Sequence, residues 1–396
     1  MTKPEDRSRY EALLQEAAGI QGVSLGRDAW KRLCKNRAAV ASLILVAGVI
    51  ALAILTPLLP LQSPQYQDLE KRQFLPPTFA HNELPVSLAE IHAAEQEIAD
   101  LRGKLAQATT ADERQLEKDL ESRHREHPFR RLWNELGPFN TALVRARIAV
   151  FGTWCIPSLC GTDSLGRDVL ARICWGSRVS ILVGLVATAV SLLIGVTYGA
   201  VSGFVGGWVD TVLMRFVDVM LSIPFVFVVI FILTVVSEPR NKEFLLRFNV
   251  GPLIVLCIVI GLFFWLTMAR VVRGQVLSLK HEQFVDAART IGAGLPRIVF
   301  RHLVPNILGI VIIYLTLTIP SVMLTEAFLS YLGLGVQAPN VSLGVLIEEG
   351  IRVMTSLKLY WWLVLFPAGL LATTLLALNF IGDGLRDALD PRLKNR

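Results

Sequence analysis

The sequence predicts an all-α membrane protein with six transmembrane helices and a large helical insertion between the first two spans. Three features support this class. The chain of 396 residues is 53% hydrophobic and only 18% charged. Its apolar residues come in long unbroken runs, which are typical of bilayer-spanning helices. The net charge of +6 is typical of cytoplasmic loops, since no basic and aromatic stretch indicates a nucleic-acid surface.

Six segments are long and apolar enough to cross the hydrocarbon core, which takes about 20 helical residues. The predicted spans are residues 38–59, 179–203, 211–236, 250–271, 304–325 and 361–381. Helix is the expected structure because lipid offers no partner to open backbone groups. Gly195, Gly199, Pro224 and Pro320 fall inside these runs, where they permit close helix packing or kinks.

Basic residues near the span ends predict that both termini are cytoplasmic. Five Lys and Arg residues lie between Arg27 and Arg37, just ahead of the first span. Six crossings return the C-terminus to the same side, where Arg386 begins a basic tail. Residues 237–249 carry three basic residues on the predicted outer side, which is a mild departure from the rule. No cleavable signal peptide is evident, so the first helix is expected to stay as an anchor.

This topology divides the chain into five parts. The predicted parts are a cytoplasmic N-terminal tail at 1–37, a first transmembrane helix at 38–59, an outer insertion at 60–160, a membrane core of five spans at 161–385, and a cytoplasmic tail at 386–396. Long loops cross the membrane largely regardless of their charge, so the basic residues of the insertion do not oppose this placement.

Residues 86–126 of the insertion predict a helical hairpin. Ile91, Ile98 and Leu105 belong to an apolar series that alternates three and four apart, as in a coiled-coil seam. Thr110 and Glu113 then form a capping box that restarts a helix. A solvated charged helix without a partner is the alternative.

The stretch ahead of the second span predicts a separate helix at the membrane interface. Asp163 is a favourable N-cap for it. Leu165, Val169 and Ile173 would then lie at the outer interface.

The segment between spans four and five predicts a short amphipathic helix on the cytoplasmic side. Phe284, Ala287, Ala288 and Ile291 fall on one face of it. Gly292 suits the left-handed residue that ends a helix, and the following proline at 296 starts the next one. Small residues at its centre let a groove of another protein approach closely, whereas a solvated connecting loop is the alternative.

The same segment resembles the cytoplasmic loop of ATP-binding-cassette importers. Asp-Ala-Ala at 286–288, Gly292 and Pro305 keep the spacing of that loop, with Asp in place of Glu. His302 and Val304 depart from its Ile and Leu positions. They agree instead with the Arg-His-x-x-Pro-Asn form of the peptide-transport branch.

Three further stretches resemble that branch, at residues 161–178, 326–339 and 382–391. In combination they are similar to the C-type permease of the oligopeptide and dipeptide importer family. The resemblance covers roughly residues 25–60 and 160–394.

The resemblance implies a type I importer permease in the inner membrane that moves peptides. Expected partners are a second permease, two ATPase subunits and a periplasmic substrate-binding protein. The loop at about 272–303 would carry the helix that docks in an ATPase groove. Its expected contact residues are Phe284, Asp286, Ala287, Ala288, Ile291 and Gly292.

The chain itself is not expected to be an enzyme. The sequence contains no Walker-type phosphate loop, so ATP hydrolysis would belong to the partners. Neither residues 161–173 nor the C-terminal tail has a nucleophile beside a base. No cofactor and no metal are expected. Two alternatives stay open: a permease of the same family for another solute, such as nickel, and a membrane scaffold without transport activity.

Glu326 lies at the outer end of the fifth span, and ionisable residues near spans are functional candidates. One interpretation places it in the substrate path, facing the amino terminus of a peptide. A structural hydrogen bond is the simpler alternative.

Cys155 and Cys160 are five residues apart on the predicted outer side. An oxidising compartment favours a disulfide between them, provided that their α-carbons come within about 7 Å. Two unpaired thiols are the alternative.

Overall fold

The structure is a computed structural model, and it describes residues 25–106, 110–134, 136–238, 240–241 and 251–389. Several expectations therefore lie outside the described residues. They concern most of the N-terminal tail, the final residues of the C-terminal tail, the basic residues Lys242 and Arg247, and the side chains of Thr110 and Glu113.

The described residues are mostly helical, and they contain two short strands. The helices are α1 (Leu25–Lys35), α2 (Arg37–Leu55), α3 (Leu88–Leu105), α4 (Thr110–Glu126), α5 (Pro128–Trp133), α6 (Pro138–Phe151), α7 (Val169–Val205), α8 (Gly207–Ser222), α9 (Phe225–Ser237), α10 (Pro252–Leu279), α11 (Gln283–Thr290), α12 (Leu295–Ile298), α13 (Val304–Tyr331), α14 (Leu343–Val353) and α15 (Trp362–Leu389). The strands β1 (Asn82–Glu83) and β2 (Trp154–Cys155) pair antiparallel.

Five helical stretches are long and apolar enough to cross a membrane, and a bent helix pair makes a sixth. The five are Arg37–Leu58, Val169–Val205, Pro252–Leu279, Leu295–Tyr331 and Trp362–Leu389. The bundle thus agrees with the predicted all-α membrane class. Most of its helices extend beyond the predicted spans.

The predicted span at 211–236 is wrong as a single helix. It is broken into α8 and α9, which meet at an angle of 86°. Ile223 leaves the helical region with φ −83° and ψ 125°. Pro224 explains the break, because proline disfavours the helical conformation of the residue before it and has no N–H to donate.

Helix α7 is longer than the predicted second span and begins ten residues earlier, at Val169. Its N-cap is Asp168, whose carboxylate accepts the Ala171 N–H at 2.9 Å. The predicted cap at Asp163 is wrong, since this side chain stabilises the preceding turn by accepting the N–H groups of Leu165 and Arg167. The 37 residues of α7 therefore form one rod, about 55 Å long at 1.5 Å per residue.

Glycines set the close approach of α7 to α10. A Cβ built at Gly199 would lie 2.3 Å from the carbonyl oxygen of Ala269, and one at Gly195 would lie 2.6 Å from the Met268 Cβ. Gly203 repeats the contact one turn later, where its Cβ would lie 2.9 Å from the Arg273 carbonyl oxygen. The predicted role of Gly195 and Gly199 in close packing is confirmed.

A π-helical turn at Val299–Leu303 joins α12 to α13, and the three run as one long helix. The N–H of Val304 donates to the carbonyl oxygen of Val299, five residues back. Pro305 accounts for this wider turn, because it cannot donate to the carbonyl of residue 301 and its ring needs space there.

The 60–160 segment folds around a core of its own. Ile91 on α3 is fully buried against Phe129, Val144 and other apolar residues. The helices α3 and α4 form the predicted hairpin, tied by an ion pair between Glu97 and Arg123 at 3.0 Å. Trp175 of α7 packs on the same core. The alternative of a lone solvated helix is therefore excluded.

Candidate functional site

The short helix α11 lies against the far end of α7, more than thirty residues from the helix start at Val169. Val285 and Ala288 are its buried residues, at 0% and 4% exposure. They pack in one cluster with Ala200 of α7 and Val276 of α10. The predicted amphipathic helix is thus present and is fixed to the bundle by two side chains.

The predicted apolar face of α11 is partly wrong. Ala288 points inward with Val285, whereas Phe284, Ala287 and Ile291 stay exposed. A helix turns about 100° per residue, so Ala288 lies about 40° from Phe284 and about 60° from Val285. Packing decides between the two faces. Val285, the larger of the two buried side chains, was missed, although its spacing of three from Ala288 was visible in the sequence.

Phe284, Asp286 and Ala287 of α11 are exposed, as are Ile291 and Gly292 just after it. We name these five residues the coupling surface after the role that the sequence predicts for them. Ile291 is 83% exposed, which is unusual for a large apolar side chain held in a well-packed loop. An exposed apolar patch on a helix that is anchored from behind is typical of an interaction site.

Gly292 ends α11 as predicted, with φ +78°. Its N–H donates to the Arg289 carbonyl oxygen at 2.9 Å, and the next N–H, that of Ala293, reaches the Ala288 carbonyl oxygen at 3.0 Å. This conformation costs glycine nothing and strains other residues. Pro296 lies in the first turn of α12, which was also predicted.

The coupling surface is connected to the membrane helices through the same cluster. Val285 and Ala288 share it with Met268, Val299 and Leu303, so three long helices meet behind α11. The guanidinium of Arg289 lies 5.2 Å from the ring centroid of Phe204 in α7. Helix α11 is therefore in direct contact with α7, α10 and the π-helical turn.

Glu326 is fully buried and sits among hydroxyl groups. Ser330 and Ser342 each donate to its Oε1 at 2.7 Å, and Ser180 donates to Oε2 at 3.4 Å. Ser342 also caps α14 by accepting the N–H of Val345. The carboxylate thus joins α7, α13 and α14. These contacts agree with the alternative of a structural hydrogen bond.

An ion network that sequence reasoning missed holds α14 against the start of α7. Arg172 is 2% exposed and donates to Asp163 at 2.7 Å and to Glu349 at 3.1 Å. Arg167 bonds to the same two carboxylates, at 2.7 and 3.1 Å. Glu349 lies 182 and 177 residues from Arg167 and Arg172, so no local pattern could have predicted its part in this network.

The predicted disulfide between Cys155 and Cys160 is absent, because both are free thiols. The two side chains pack in different clusters. Cys155 lies with Val144 and Phe129, and its sulfur accepts a hydrogen bond from Arg147 at 2.9 Å. Cys160 packs near Trp362. Burial raises the pKa of the Cys160 thiol to about 12, so it is not a reactive nucleophile.

Two family models match this chain. Residues 195–395 match the binding-protein-dependent transport system inner membrane component. Residues 24–77 match the N-terminal TM domain of oligopeptide transport permease C. Residues 78–194, which hold most of the 60–160 segment, lie outside both matches.

Relatives with known roles match over 59% of this chain. The oligopeptide transport system permease protein OppC of Bacillus subtilis is 43% identical over 234 residues, which cover 72% of that protein. OppC of Salmonella typhimurium is 46% identical over 232 residues and 72% of its length. The dipeptide transport system permease protein DppC of Bacillus subtilis is 43% identical, over 68% of its length. The chain therefore belongs to the family of binding-protein-dependent transport inner-membrane permeases, in its oligopeptide permease C branch.

Proposed function

We propose that this chain is a membrane-spanning subunit of an ATP-driven importer that carries peptides. The coupling surface supports this function most directly. It combines an exposed apolar face with a buried attachment to three long helices, as a force-transmitting contact requires. The names of the relatives, which specify oligopeptides and dipeptides, support the substrate class. Neither alternative, another solute or a scaffold, has a comparable observation in its favour.

The mechanism starts at the partner ATPases, which bind and hydrolyse ATP. Closure of the ATPase pair moves the groove that holds α11. Val285 and Ala288 pass this motion to α7 and α10, whose glycine contacts make them move together. The bundle then switches from inward-facing to outward-facing and takes a peptide from the binding protein. Since the chain only supplies the path, no chemical step is assigned to its residues.

The complete complex is proposed to contain a second, similar permease, two ATPase subunits and a periplasmic substrate-binding protein. The coupling residues Phe284, Asp286, Ala287, Ile291 and Gly292 contact one ATPase, and Ala288 supports them from behind. Asp286 is exposed and forms an ion pair with Arg289 at 3.4 Å, so its carboxylate is accessible to a basic partner.

The proposed topology has six spans with both termini in the cytoplasm. The bent pair α8 and α9 counts as one broken span, and residues 272–303 lie inside the cell. The insertion at 60–160 lies in the periplasm. Charge asymmetry supports this orientation, because the residues that flank α11 are rich in Lys and Arg.

A substitution at Ala287 tests the proposed coupling. Ala287→Phe places a large ring on the surface that must enter the ATPase groove. We expect peptide uptake and co-purification of the ATPase to fall at least about tenfold, because disrupting the centre of an interface costs 2 kcal/mol or more. The matched control is Ala93→Phe, at an exposed alanine of α3. Normal uptake and ATPase retention in A287F, with the chain inserted, would refute the proposal.

A further inference from the structure

The 60–160 segment contains a cleft with a volume of about 610 Å³, lined by residues of α3 to α6 and the linkers between them. This volume lies in the range of small-molecule sites, about 300–1,000 Å³. The cleft belongs to a part of the chain that neither family match covers.

The floor of the cleft is apolar and rigid. Ile98 and Phe129 line it, and both are less than 9% exposed. Phe129 belongs to the apolar core of the segment. The Phe129 ring packs on Trp133, with centroids 5.7 Å apart. Leu136 adds a further apolar wall. A ligand that enters the cleft therefore meets a preformed apolar surface.

The rim of the cleft is basic. Arg102, Arg130, His124 and His127 all line it. Among the described residues that line the cleft, Glu95 is the one carboxylate, and it forms an ion pair with Arg145. The guanidinium of Arg102 on the rim favours an anionic ligand.

The hydrogen bonds within the rim leave donors for such a ligand. Arg102 donates through Nη2 to the Nε2 of His124 at 3.2 Å. A guanidinium has five donor N–H groups, so this bond uses only one of them. His127 accepts the Phe129 N–H through Nδ1 at 3.3 Å, which places the proton of its neutral ring on Nε2. Guanidinium and imidazole N–H groups suit a planar carboxylate.

We propose that this cleft binds the carboxylate of a short peptide, with an apolar side chain of the peptide on the Ile98 and Phe129 floor. The preference for a carboxylate rests on the residues of the cleft itself. The choice of a peptide as its source rests on the proposed function. The described residues that line the cleft belong to the 60–160 segment and not to the candidate membrane spans.

A neighbouring cavity places this site beside the bundle. The second cavity, of about 240 Å³, shares Asn134 and Leu136 with the cleft and extends to Trp175 and Arg178 of α7. Arg178 donates to Asn140 of α6 at 2.8 Å, so the segment and α7 are joined at this point. Asn134 and Leu136 would thus separate a peptide in the cleft from the cavity that borders α7.

The test uses the purified full-length chain in lipid nanodiscs, without ATP or partners. Calorimetry compares the peptide Ala-Phe-Ala, the same peptide as its C-terminal amide, and inorganic phosphate. We expect the free acid to bind at least about tenfold more tightly than the amide, which corresponds to about 1.4 kcal/mol. Equal binding of acid and amide, no binding, or binding of phosphate alone would overturn the proposal.

Two variants locate the binding event. Arg102→Gln removes one positive charge from the rim. We expect this variant to bind the free-acid peptide about tenfold more weakly. Arg125→Gln is the control, because Arg125 is on the same hairpin but is exposed, pairs with Glu121 of its own helix and does not line the cleft. Unchanged binding in R102Q would assign the peptide to another site and overturn the proposal, even if transport by A287F is lost as proposed. Unaltered thermal unfolding of R102Q shows that the variant is folded.

Discussion

At the residue scale, Arg172 shows how ion pairs stabilise a buried positive charge in this protein. Arg172 is almost fully buried, and its guanidinium pairs with the carboxylates of Asp163 and Glu349. An unpaired ion at this depth would cost several kcal/mol. Asp163 and Glu349 therefore determine where α14 can sit. The network stabilises the folded protein by fixing that helix against the start of α7.

Loss of one carboxylate should loosen α14. We expect Glu349→Gln to lower the free energy of unfolding by about 1–2 kcal/mol, because it leaves Arg172 only half-paired while Glu349 itself is partly exposed. Glu348→Gln is the matched control, since Glu348 pairs with the exposed Arg352. The thermal unfolding midpoint of the purified chain is the measurement. Equal midpoints for the two variants would contradict the network.

His127 makes the short helix α5 sensitive to acid. Burial lowers the pKa of His127; Glu95 opposes this shift, while His124 and Arg145 add to it. The folded state therefore favours the neutral ring, whose Nδ1 caps α5 at the Phe129 N–H. Stability from this group is present above a pH of about 6.5, the pKa of a free histidine, and is lost as the pH falls below it.

Hydrogen exchange of α5 checks this expectation. Between pH 7.5 and pH 5.5, after correction for the intrinsic exchange rate, protection of the amides at 129–133 should decrease. His127→Asn keeps a capping side chain that does not titrate in this range, so its protection should stay constant. The same loss of protection in both proteins would show that His127 is not the cause.

At the scale of elements, local patterns were sufficient wherever neighbours in sequence decide the structure. The apolar runs located the membrane helices, and Gly292 and Pro296 located the ends of α11 and α12. The break at Pro224 was visible as a kink, but its 86° angle depends on where α8 and α9 pack. The burial of Ala288 likewise depends on tertiary packing, because the helices around α11 determine which of its faces is buried.

The candidate site was predictable to a similar extent. The sequence indicated the exposed residues of the coupling surface but not Val285, its attachment point. Asp163 was predicted as a helix cap and instead pairs with Arg167 and Arg172. The other carboxylate on these arginines, that of Glu349, had no local signal in the sequence. The interior of the 60–160 segment, including its cleft, depends on contacts among four helices and has no linear signal.

The close packing of α7 on α10 can be disrupted by adding a single methyl group. In Gly199→Ala the added methyl group would lie 2.3 Å from a backbone oxygen that cannot move without its helix. We expect a loss of stability of about 1–3 kcal/mol and less monodisperse protein on size-exclusion chromatography. Gly369→Ala in α15 meets nothing within 4 Å and should be neutral or mildly stabilising. Identical behaviour of the two variants would contradict the packing.

At the scale of the whole molecule, α7 runs from the 60–160 segment at its start to α11 at its far end. One end carries the 60–160 segment with its cleft, and the other meets α11. The glycine contacts pack α7 closely on α10 along its second half. A contact made at α11 thereby has a direct physical route to the opposite end.

Labelling of intact cells tests the orientation of this rod. The background variant lacks Cys34, the exposed native thiol among the five cysteines. A membrane-impermeant maleimide should react with a cysteine at Ala93 of α3 and not with one at Thr290 of α11. Both should react after the cells are permeabilised. The reverse pattern in intact cells would invert the proposed topology.

Contact between α11 and an ATPase is the most direct measure of this chain's function as an ATP-driven permease. Ile291, whose side chain is 83% exposed, can carry a photo-reactive p-benzoylphenylalanine without adding bulk at the centre of the coupling surface. The tagged chain is irradiated in its native host, and crosslinked proteins are identified by mass spectrometry. We predict a crosslink from position 291 to a protein with a Walker-type phosphate loop, and none from position 93. Absence of such a protein at 291, or equal capture at both positions, would contradict the proposed coupling.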